Sequence, residues 1–277
     1  MTSPINAEHH PLDKLIRADR MPHIWCPGCG IGIAMRCYAQ AILDFTLPVD
    51  DHVVVSGIGC SGRVAGYMNL DSYHTTHGRA IPFAMGVKLA KPDLMVTVFS
   101  GDGDLVSIGG NHLIHAARRN IDLKVICINN FNFGMTGGQF GPTTPRGAIA
   151  TTAPYGNFEL PFNLPYLLAA SGANYIARWT TLHARQLKNS ILESFNKPGF
   201  TFIEVLAPCP IGFGKSNNIA DGLEEMELYR ERCVLAQEGD VHAEELGIDL
   251  REDKPIIIGR FVNRNRPPFQ PPRIGAL

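Results

Sequence analysis

The sequence predicts an α/β protein in which a parallel sheet is flanked by helices. Short apolar runs rich in β-branched residues alternate with longer segments of helical length and periodicity. Such alternation is typical of parallel strands that are joined by covering helices. The chain has 277 residues, of which 45% are hydrophobic and 18% are charged, so it can form one sizeable core. We therefore expect one α/β body with an arm before it and an extended tail after it.

The predicted body covers residues 22–215. Residues 1–21 are polar and lack periodicity, so they are interpreted as an N-terminal arm that lies over the surface or a partner. The periodic segments of the body predict, in chain order, helix 31–45, strand 52–56, helix 78–90, strand 94–100, helix 108–119, strand 123–128, helix 165–171, strand 174–179, helix 181–195 and strand 200–206.

Two segments fall outside this alternation. Residues 131–165 are rich in Gly, Thr and Pro and are too long for a simple connector, which is typical of a binding element or a lid. Residues 216–277 form the predicted C-terminal part, with an acidic helix over 224–237. From residue 260 onwards the repeated prolines predict no regular secondary structure. Such a tail is either disordered, extended, or laid across a neighbouring subunit.

Polar residues stand where two neighbouring predicted strands end. Asp102, between Gly101 and Gly103, follows one strand, and Asn130 follows the next. Because parallel strands end at the same edge of a sheet, where ligands bind in open α/β folds, Asp102 and Asn130 are expected to face one object. A carboxylate and an amide oxygen suit Mg²⁺ that holds a diphosphate. The alternative for the tripeptide alone is an ordinary tight turn.

The turn itself is suited to a phosphate group. Glycine lets the main chain approach the anion closely, and the N-terminus of the next helix offers unpaired N–H groups. Asp104 and Leu105 are expected to contribute main-chain donors of this kind.

Four of the seven cysteines follow turns or strand ends. Cys26 and Cys29 form a Cys-Pro-Gly-Cys pair, Cys60 follows strand 52–56, and Cys209 follows strand 200–206. Four thiolates suit either a 4Fe-4S cluster or a structural zinc ion, and the spacing by itself favours zinc. No secretory segment is visible, so a disulfide scaffold is not expected. A cytoplasmic location is expected instead. The cysteines that are interpreted as core residues are Cys37, Cys127 and Cys233.

The motif pattern resembles a known family. Gly-Asp-Gly followed one strand later by Asn-Asn is the thiamine diphosphate signature. This signature occurs with Trp-Cys-Pro-Gly-Cys-Gly at 25–30, His-Gly-Arg-Ala at 77–80 and the sequence of residues 129–139. In this combination, the chain resembles the β subunits of 2-oxoacid:ferredoxin oxidoreductases over residues 22–214. The resemblance implies a thiamine diphosphate-binding fold of the diphosphate-binding type.

The resemblance also implies particular ligands. Asp102 and Asn130 would bind Mg²⁺ through their side chains, and Asn132 through its carbonyl oxygen. The thiamine signature reverses the preference for zinc, because electron-rich intermediates beside thiolates imply oxidation. The four cysteines named above would then hold one 4Fe-4S cluster, and Cys60 would also border the coenzyme.

Five further residues are candidates for contacts with the coenzyme or the substrate. The resemblance places His77 near thiamine or substrate, whereas a solvated loop is the simpler interpretation. Thr136 and Gln139 are expected to contact the diphosphate or the reacting centre, and Met135 either packs on the coenzyme or lies in the core. Arg63 is expected to face the cluster's cavity and to bind the distal carboxylate of a dicarboxylic oxoacid, with a surface salt bridge as the alternative.

The implied activity is the CoA-dependent oxidative decarboxylation of a 2-oxoacid, or its CO₂-fixing reversal, with ferredoxin as electron carrier. The chain leaves no room for a pyrimidine-binding domain, so an α subunit is expected to supply that domain and its activating glutamate in an αβ heterodimer or an (αβ)₂ assembly. Arg63 favours 2-oxoglutarate as the substrate, and so does the similarity of the Cys-Pro-Gly-Cys-Gly and His-Gly-Arg-Ala motifs to those of 2-oxoglutarate-type enzymes. The alternatives are pyruvate or another 2-oxoacid, a non-redox thiamine decarboxylase subunit, and a zinc-stapled interaction module.

The composition excludes two classes of partner. A formal net charge of −1 offers no basic field for nucleic acid, and no apolar run has the ~20 residues that a membrane helix requires.

Overall fold

The computed structural model describes residues 10–236, 246–250 and 254–270. The strands are β1 His52–Ser56, β2 Asp71–His74, β3 Met95–Gly101, β4 Lys124–Asn129, β5 Tyr175–Thr180, β6 Thr201–Leu206, β7 Cys233–Leu235 and β8 Ile256–Asn263. The α-helices are α1 Ile31–Asp44, α2 Val64–Tyr67, α3 Ala80–Ala90, α4 Gly110–Arg119, α5 Leu164–Ser171, α6 Ala184–Phe195 and α7 Gly222–Arg232. Two π-helical turns, Gly103–Ile108 and Pro210–Gly214, follow β3 and β6.

The described strands form one sheet in the order β2-β1-β3-β4-β6-β5-β8-β7. Every neighbouring pair is parallel except β5 with β8. Burial on both faces explains why the central strands are near-continuous apolar runs. In β1, for example, Val54 belongs to the core under α1 and α6, whereas Val53 and Val55 belong to the core under α3, α4 and α5. The prediction of an α/β body with a parallel sheet is confirmed.

The shorter edge strands carried no usable sequence signal. β2 is mostly exposed and lacks the alternation of a half-buried strand. Helix α7 ends at Arg232, and Cys233 begins β7, so the predicted helix over 224–237 is too long and wrong for Cys233. The prediction for residue 260 onwards is wrong for 260–263, because these residues complete β8 against β5.

The described parts of the arm and the tail pack on their own chain. Leu12 and Leu15 are buried in the core, and the Arg17 guanidinium donates through Nε to Met68 O at 2.9 Å. Residues 264–270 form no regular element, yet Phe269 N donates to Asn120 O at 3.0 Å. The predicted stretches 1–9 and 271–277 lie outside the described residues. The division at residues 22 and 215 and the contact of the tail with a partner stay predictions.

None of the helices in the described part of the chain combines the length and the apolar character needed to cross a membrane.

Candidate cofactor and active site

Two adjoining cavities open at the carboxyl edge of the sheet, where β1, β3, β4 and β6 end. The first, here called the polar cavity, has a volume of about 100 Å³ and is lined by the residues that follow β1, β3 and β4, among them Asp102, Asn130 and Asn132. The second, here called the cysteine cavity, has a volume of about 270 Å³ and is lined by Cys26, Cys29, Cys60 and Cys209. Both cavities are bordered by Cys60, Asn130, Gly134 and Met135. The structure therefore brings the two predicted ligand sets together along a shared wall.

The carboxyl group of Asp102 lies at the bottom of the polar cavity. Asp102 is the N-cap of the π-helical turn Gly103–Ile108, and its Oδ1 accepts a hydrogen bond from Gly103 N at 2.9 Å. Its Oδ2 accepts from the Thr143 hydroxyl, a contact that sequence reasoning missed. Burial raises the pKa of Asp102 to about 7. A buried carboxyl of this kind is suited to a cation, which would favour its charged form.

The second predicted ligand group is the turn 130–132 after β4. Asn130 and Asn132 are both buried, and Phe131 between them has a left-handed backbone conformation with φ = 64°. The side-chain Nδ2 of Asn132 donates to Asn130 O at 2.8 Å. The amide of Asn132 therefore braces the turn, and its main-chain carbonyl stays the predicted magnesium ligand.

The side chain of Asp104 links three segments below the polar cavity. Its fully buried carboxylate accepts hydrogen bonds from His77 Nδ1 at 2.6 Å and Gly78 N at 2.7 Å. It also accepts from Ser100 Oγ at 3.0 Å and Ile58 N at 3.1 Å. Only a main-chain role was predicted for Asp104, although the second acidic residue of Gly-Asp-Gly-Asp was a visible signal. As a result, His77 is held by one ring nitrogen while it lines the cavity.

The four cysteines of the cysteine cavity are free thiols that lie near one another. Burial raises the pKa of Cys29 to about 12 and that of Cys60 to about 11, and the neighbouring cysteines add a repulsive contribution in both cases. Among the described residues, no group of three or more His, Cys, Asp or Glu side chains is arranged to hold a metal ion. A tetrahedral zinc site with bonds of about 2.3 Å needs sulfurs only about 3.8 Å apart. Four thiols around one cavity suit either such a zinc ion or a larger iron–sulfur cluster.

Two residues that sequence reasoning missed support the cysteine-bearing segments. Trp25 donates through Nε1 to Cys60 O at 2.8 Å, which joins the segment before Cys26 to the loop after β1. The buried carboxyl of Glu225 accepts from Cys209 N at 3.0 Å. Burial raises the pKa of Glu225 to about 7. Neither contact had a sequence signal, because each joins segments that are distant along the chain.

The remaining candidates differ in whether they line one of the two cavities. Met135 and Thr136 line the polar cavity and are exposed, and Thr136 Oγ1 donates to Gln139 Oε1 at 2.6 Å. Gln139 braces Thr136 and is not among the residues that line either cavity. The side chain of Leu105 is in the core, and its predicted main-chain contact stays a prediction. Arg63 is exposed and lines neither cavity, so the prediction that it faces the cluster's cavity is wrong. Its predicted binding of a distal carboxylate stays a prediction.

The comparisons with known proteins identify the class of this fold and site. The family model for the thiamine pyrophosphate enzyme, C-terminal TPP binding domain, matches residues 57–205, which is more than half of the chain. The fold and the polar cavity thus define a thiamine pyrophosphate-binding domain. Within this class, the chain belongs to the KorB family, the β subunits of 2-oxoglutarate synthases.

Two relatives and one solved structure support this assignment. The 2-oxoglutarate synthase subunit KorB of Methanocaldococcus jannaschii is 50% identical over 94% of this chain and 94% of its own length. The 2-oxoglutarate oxidoreductase subunit KorB of Mycobacterium tuberculosis is 36% identical over 85% of this chain and 58% of its own length. The structure of the 2-oxoglutarate:ferredoxin oxidoreductase from Magnetococcus marinus, with 2-oxoglutarate, coenzyme A and succinyl-CoA bound, superposes with a TM-score of 0.83 and 28% identity over 95% of this chain and 88% of that chain.

The family match covers only part of the site. The matched residues 57–205 contain Asp102, Asn130 and Asn132, but end before Cys209 and begin after Cys26 and Cys29. Cys60 also lies inside the match, so the family model covers the predicted polar-cavity ligands and one of the four cysteines. The relatives are named as subunits, so membership of their family implies partner subunits.

Proposed function

We propose that this chain binds magnesium, thiamine diphosphate and one 4Fe-4S cluster within a 2-oxoglutarate:ferredoxin oxidoreductase. The observation that carries the proposal is the wall shared by the polar cavity and the cysteine cavity. A coenzyme and a redox cluster bound on the two sides of this wall would be close enough for direct electron transfer. A non-redox decarboxylase would have no use for the cysteine cavity.

The donor chemistry of both cavities fits these groups. Mg²⁺ takes hard oxygen ligands, and the polar cavity offers a buried carboxylate on Asp102, the Asn130 amide and the Asn132 carbonyl. Iron–sulfur clusters are held by cysteine side chains, and four cysteines line the other cavity. When bound, thiamine diphosphate supplies the carbanion chemistry by which a 2-oxoacid loses CO₂, and the cluster supplies one-electron transfer.

The residues of this chain have distinct roles in the proposed reaction. Gly101 and Gly103 let the turn after β3 approach the diphosphate. His77 faces the reacting centre in an orientation fixed by Asp104, and Thr136 stands at the mouth of the polar cavity. Arg63, which is exposed in this chain, would bind the distal carboxylate of 2-oxoglutarate in a pocket completed by another subunit.

That other subunit is the α subunit, which would supply the pyrimidine-binding domain and the activating glutamate in an αβ heterodimer or an (αβ)₂ assembly. Ferredoxin takes the electrons and coenzyme A takes the acyl group. We place the enzyme in the cytoplasm, because free thiols such as those of the cysteine cavity persist in a reducing compartment.

The test is to purify the chain anaerobically, alone and together with its α subunit. We expect iron and visible cluster absorption in both preparations. Turnover of 2-oxoglutarate with coenzyme A and ferredoxin is expected only from the assembled enzyme. Zinc in place of iron, or full turnover by this chain alone, would contradict the proposal. A preference for pyruvate would contradict the substrate assignment only.

A further inference from the structure

We propose that a buried series of hydrogen bonds positions the turn 130–132 for magnesium and attaches this turn to the C-terminal part of the chain. The series runs through Arg178, Glu204 and Asn129, and none of these residues lines either cavity. They are positioning residues, since they act through the turn. The inference rests on the proposed function, because it concerns the same magnesium site.

The series begins with an ion pair inside the sheet. Arg178 on β5 and Glu204 on β6 are register partners, and Arg178 Nε donates to Glu204 Oε2 at 2.7 Å. The other oxygen, Glu204 Oε1, accepts from Asn129 Nδ2 at 2.7 Å. Asn129 is the last residue of β4, and its Oδ1 accepts from Phe131 N at 3.1 Å. All three side chains are almost completely buried, so water does not compete for these bonds.

At its other end, the series reaches the C-terminal part of the chain. Arg178 Nη1 donates to Leu246 O at 2.9 Å and to Ile257 O at 3.2 Å. Ile257 belongs to β8, and Leu246 lies in the described segment 246–250. One guanidinium thus joins two C-terminal main-chain groups to Glu204. The position of β8 is thereby linked, through four consecutive side-chain contacts, to the turn that carries the predicted metal ligands.

The turn requires such support because its central residue is in an unfavourable conformation. Phe131 is not glycine, yet its φ of 64° lies in the left-handed region. Three contacts hold it there. Asn129 Oδ1 accepts from its N–H, its carbonyl accepts from Thr144 Oγ1 at 2.5 Å, and its ring packs on Phe213 with centroids 5.3 Å apart. If the Asn129 contact is lost, Phe131 can relax, and the flanking ligands at 130 and 132 move with it.

A purely structural role for the ion pair is the competing explanation. Buried ion pairs are weak evidence for stability, because desolvation of both charges offsets most of their attraction. The chain offers a control in the ion pair of Arg260 on β8 and Glu193 on α6, whose charged atoms are 2.7 Å apart and whose side chains are more exposed than those of Arg178 and Glu204. This pair also attaches β8 to the body, but neither residue borders either cavity.

The experiment uses the assembled enzyme and measures the Kd for Mg²⁺ at saturating thiamine diphosphate. Glu204→Gln and Asn129→Asp are each expected to raise this Kd about tenfold or more, because each breaks the series at the Asn129–Glu204 contact. The double variant exchanges carboxylate and amide. Its contact can re-form with the donor and acceptor reversed, while the new carboxylate still accepts from Phe131 N, so we expect its Kd to return to within about threefold of the wild-type value.

Two further measurements separate positioning from stability. Electron paramagnetic resonance of Mn²⁺ in place of Mg²⁺ is expected to show a changed ligand environment in both single variants and a restored one in the double variant. Glu193→Gln is expected to change the Kd less than about twofold. Thermal unfolding is recorded for every variant. If Asn129→Asp does not fold, Glu204→Gln, which keeps the side-chain shape, carries the test.

The possible outcomes are distinct. Wild-type enzyme that binds Mg²⁺ and thiamine diphosphate, with single variants that bind equally well, would overturn this inference and leave the proposed function intact. Lower unfolding temperatures with unchanged Kd and Mn²⁺ spectra would overturn it in the same way, in favour of a structural role. Wild-type enzyme that binds neither would overturn the proposed function, and this inference with it.

Discussion

The polar cavity and the cysteine cavity lie side by side, yet they are built by different means. The polar cavity is formed by the ends of neighbouring parallel strands and by loops that stay close to them in sequence. The cysteine cavity collects its four thiols from the segment before α1, the loop after β1 and the loop after β6. The family match at 57–205 includes the predicted ligands of the polar cavity and Cys60, whereas Cys26, Cys29 and Cys209 lie outside it.

The two cavities also differ in the ligand chemistry that they offer. Oxygen donors in the polar cavity suit a hard divalent cation, and thiols in the cysteine cavity suit iron. Four residues, among them Cys60 and Asn130, line both cavities, and Cys209 Sγ also lies 3.9 Å from Asn132 Oδ1 of the polar cavity. If the two sites are as separate as their lining residues indicate, each can be emptied without loss of the other.

The largest effect that we expect comes from removing one ligand at a time. Loss of a polar-cavity ligand should weaken coenzyme binding and leave the cluster intact, and loss of a cysteine should do the reverse. Asp102→Asn should weaken the binding of Mg²⁺ and thiamine diphosphate roughly a hundredfold while iron content stays normal, because the buried charge that faces the cation is removed. Cys209→Ala should abolish cluster absorption while thiamine diphosphate still binds. Isothermal titration and iron analysis of the anaerobic assembled enzyme measure both.

Matched controls are available for both changes. Asp93→Asn alters an exposed carboxyl, and Cys37→Ala removes a buried thiol outside both cavities. Both controls should keep iron and coenzyme. Loss of both groups in each of the two ligand variants would show that the cavities form one cooperative unit, contrary to the comparison.

The pH dependence should also differ between the cavities. Burial raises the pKa of Asp102 to about 7, so protons compete with Mg²⁺ as the pH falls through 7. The affinity for Mg²⁺ should then decrease by up to about tenfold for each further unit of pH. Since this pKa lies above the usual value for Asp, the metal-free fold loses stability as the pH rises towards 7, and Mg²⁺ should restore it.

The measurement is the increase in unfolding temperature caused by Mg²⁺ with thiamine diphosphate, which should be larger at pH 8 than at pH 6. Asp102→Asn should remove this difference between the two pH values. A wild-type increase that is independent of pH would rule out titration of this carboxyl. Iron content of the assembled enzyme should not vary over the same range.

The smallest expected effect concerns Arg63, which lies outside both cavities. Arg63→Ala should raise KM about tenfold for 2-oxoglutarate and leave KM for 2-oxobutyrate almost unchanged, because only the former has a distal carboxylate for the guanidinium to bind. Steady-state kinetics of the assembled enzyme test this, with Arg36→Ala on the exposed face of α1 as the control. Equal effects on both substrates would remove Arg63 from the substrate site.

The central strands and the ligand types could be predicted from the sequence more reliably than the edge strands of the sheet and the hydrogen bonds that support the site. The strands that contain Val53 to Val55 or end at Asn129 are buried apolar runs rich in β-branched residues, so their positions could be predicted from local composition. β2 and β7 are short and partly exposed, and β8 follows Pro255 close to the Pro-rich tail, so their local signals were weak or misleading. Arg260 is in a strand only because β5 offers an unpaired edge.

The sequence alone determined the class of chemistry. Asp102, the Asn130 turn and the four cysteines are residue types whose ligand preferences depend on their own atoms. Their positions after turns or strand ends follow from the local pattern. Only the tertiary structure decided how these ligands are held. The hydrogen bonds that Thr143 donates to Asp102, Cys209 N donates to Glu225 and Asn129 donates to Glu204 join separate segments of the chain. Such contacts depend on the packing of the whole sheet, and no local stretch of sequence encodes them.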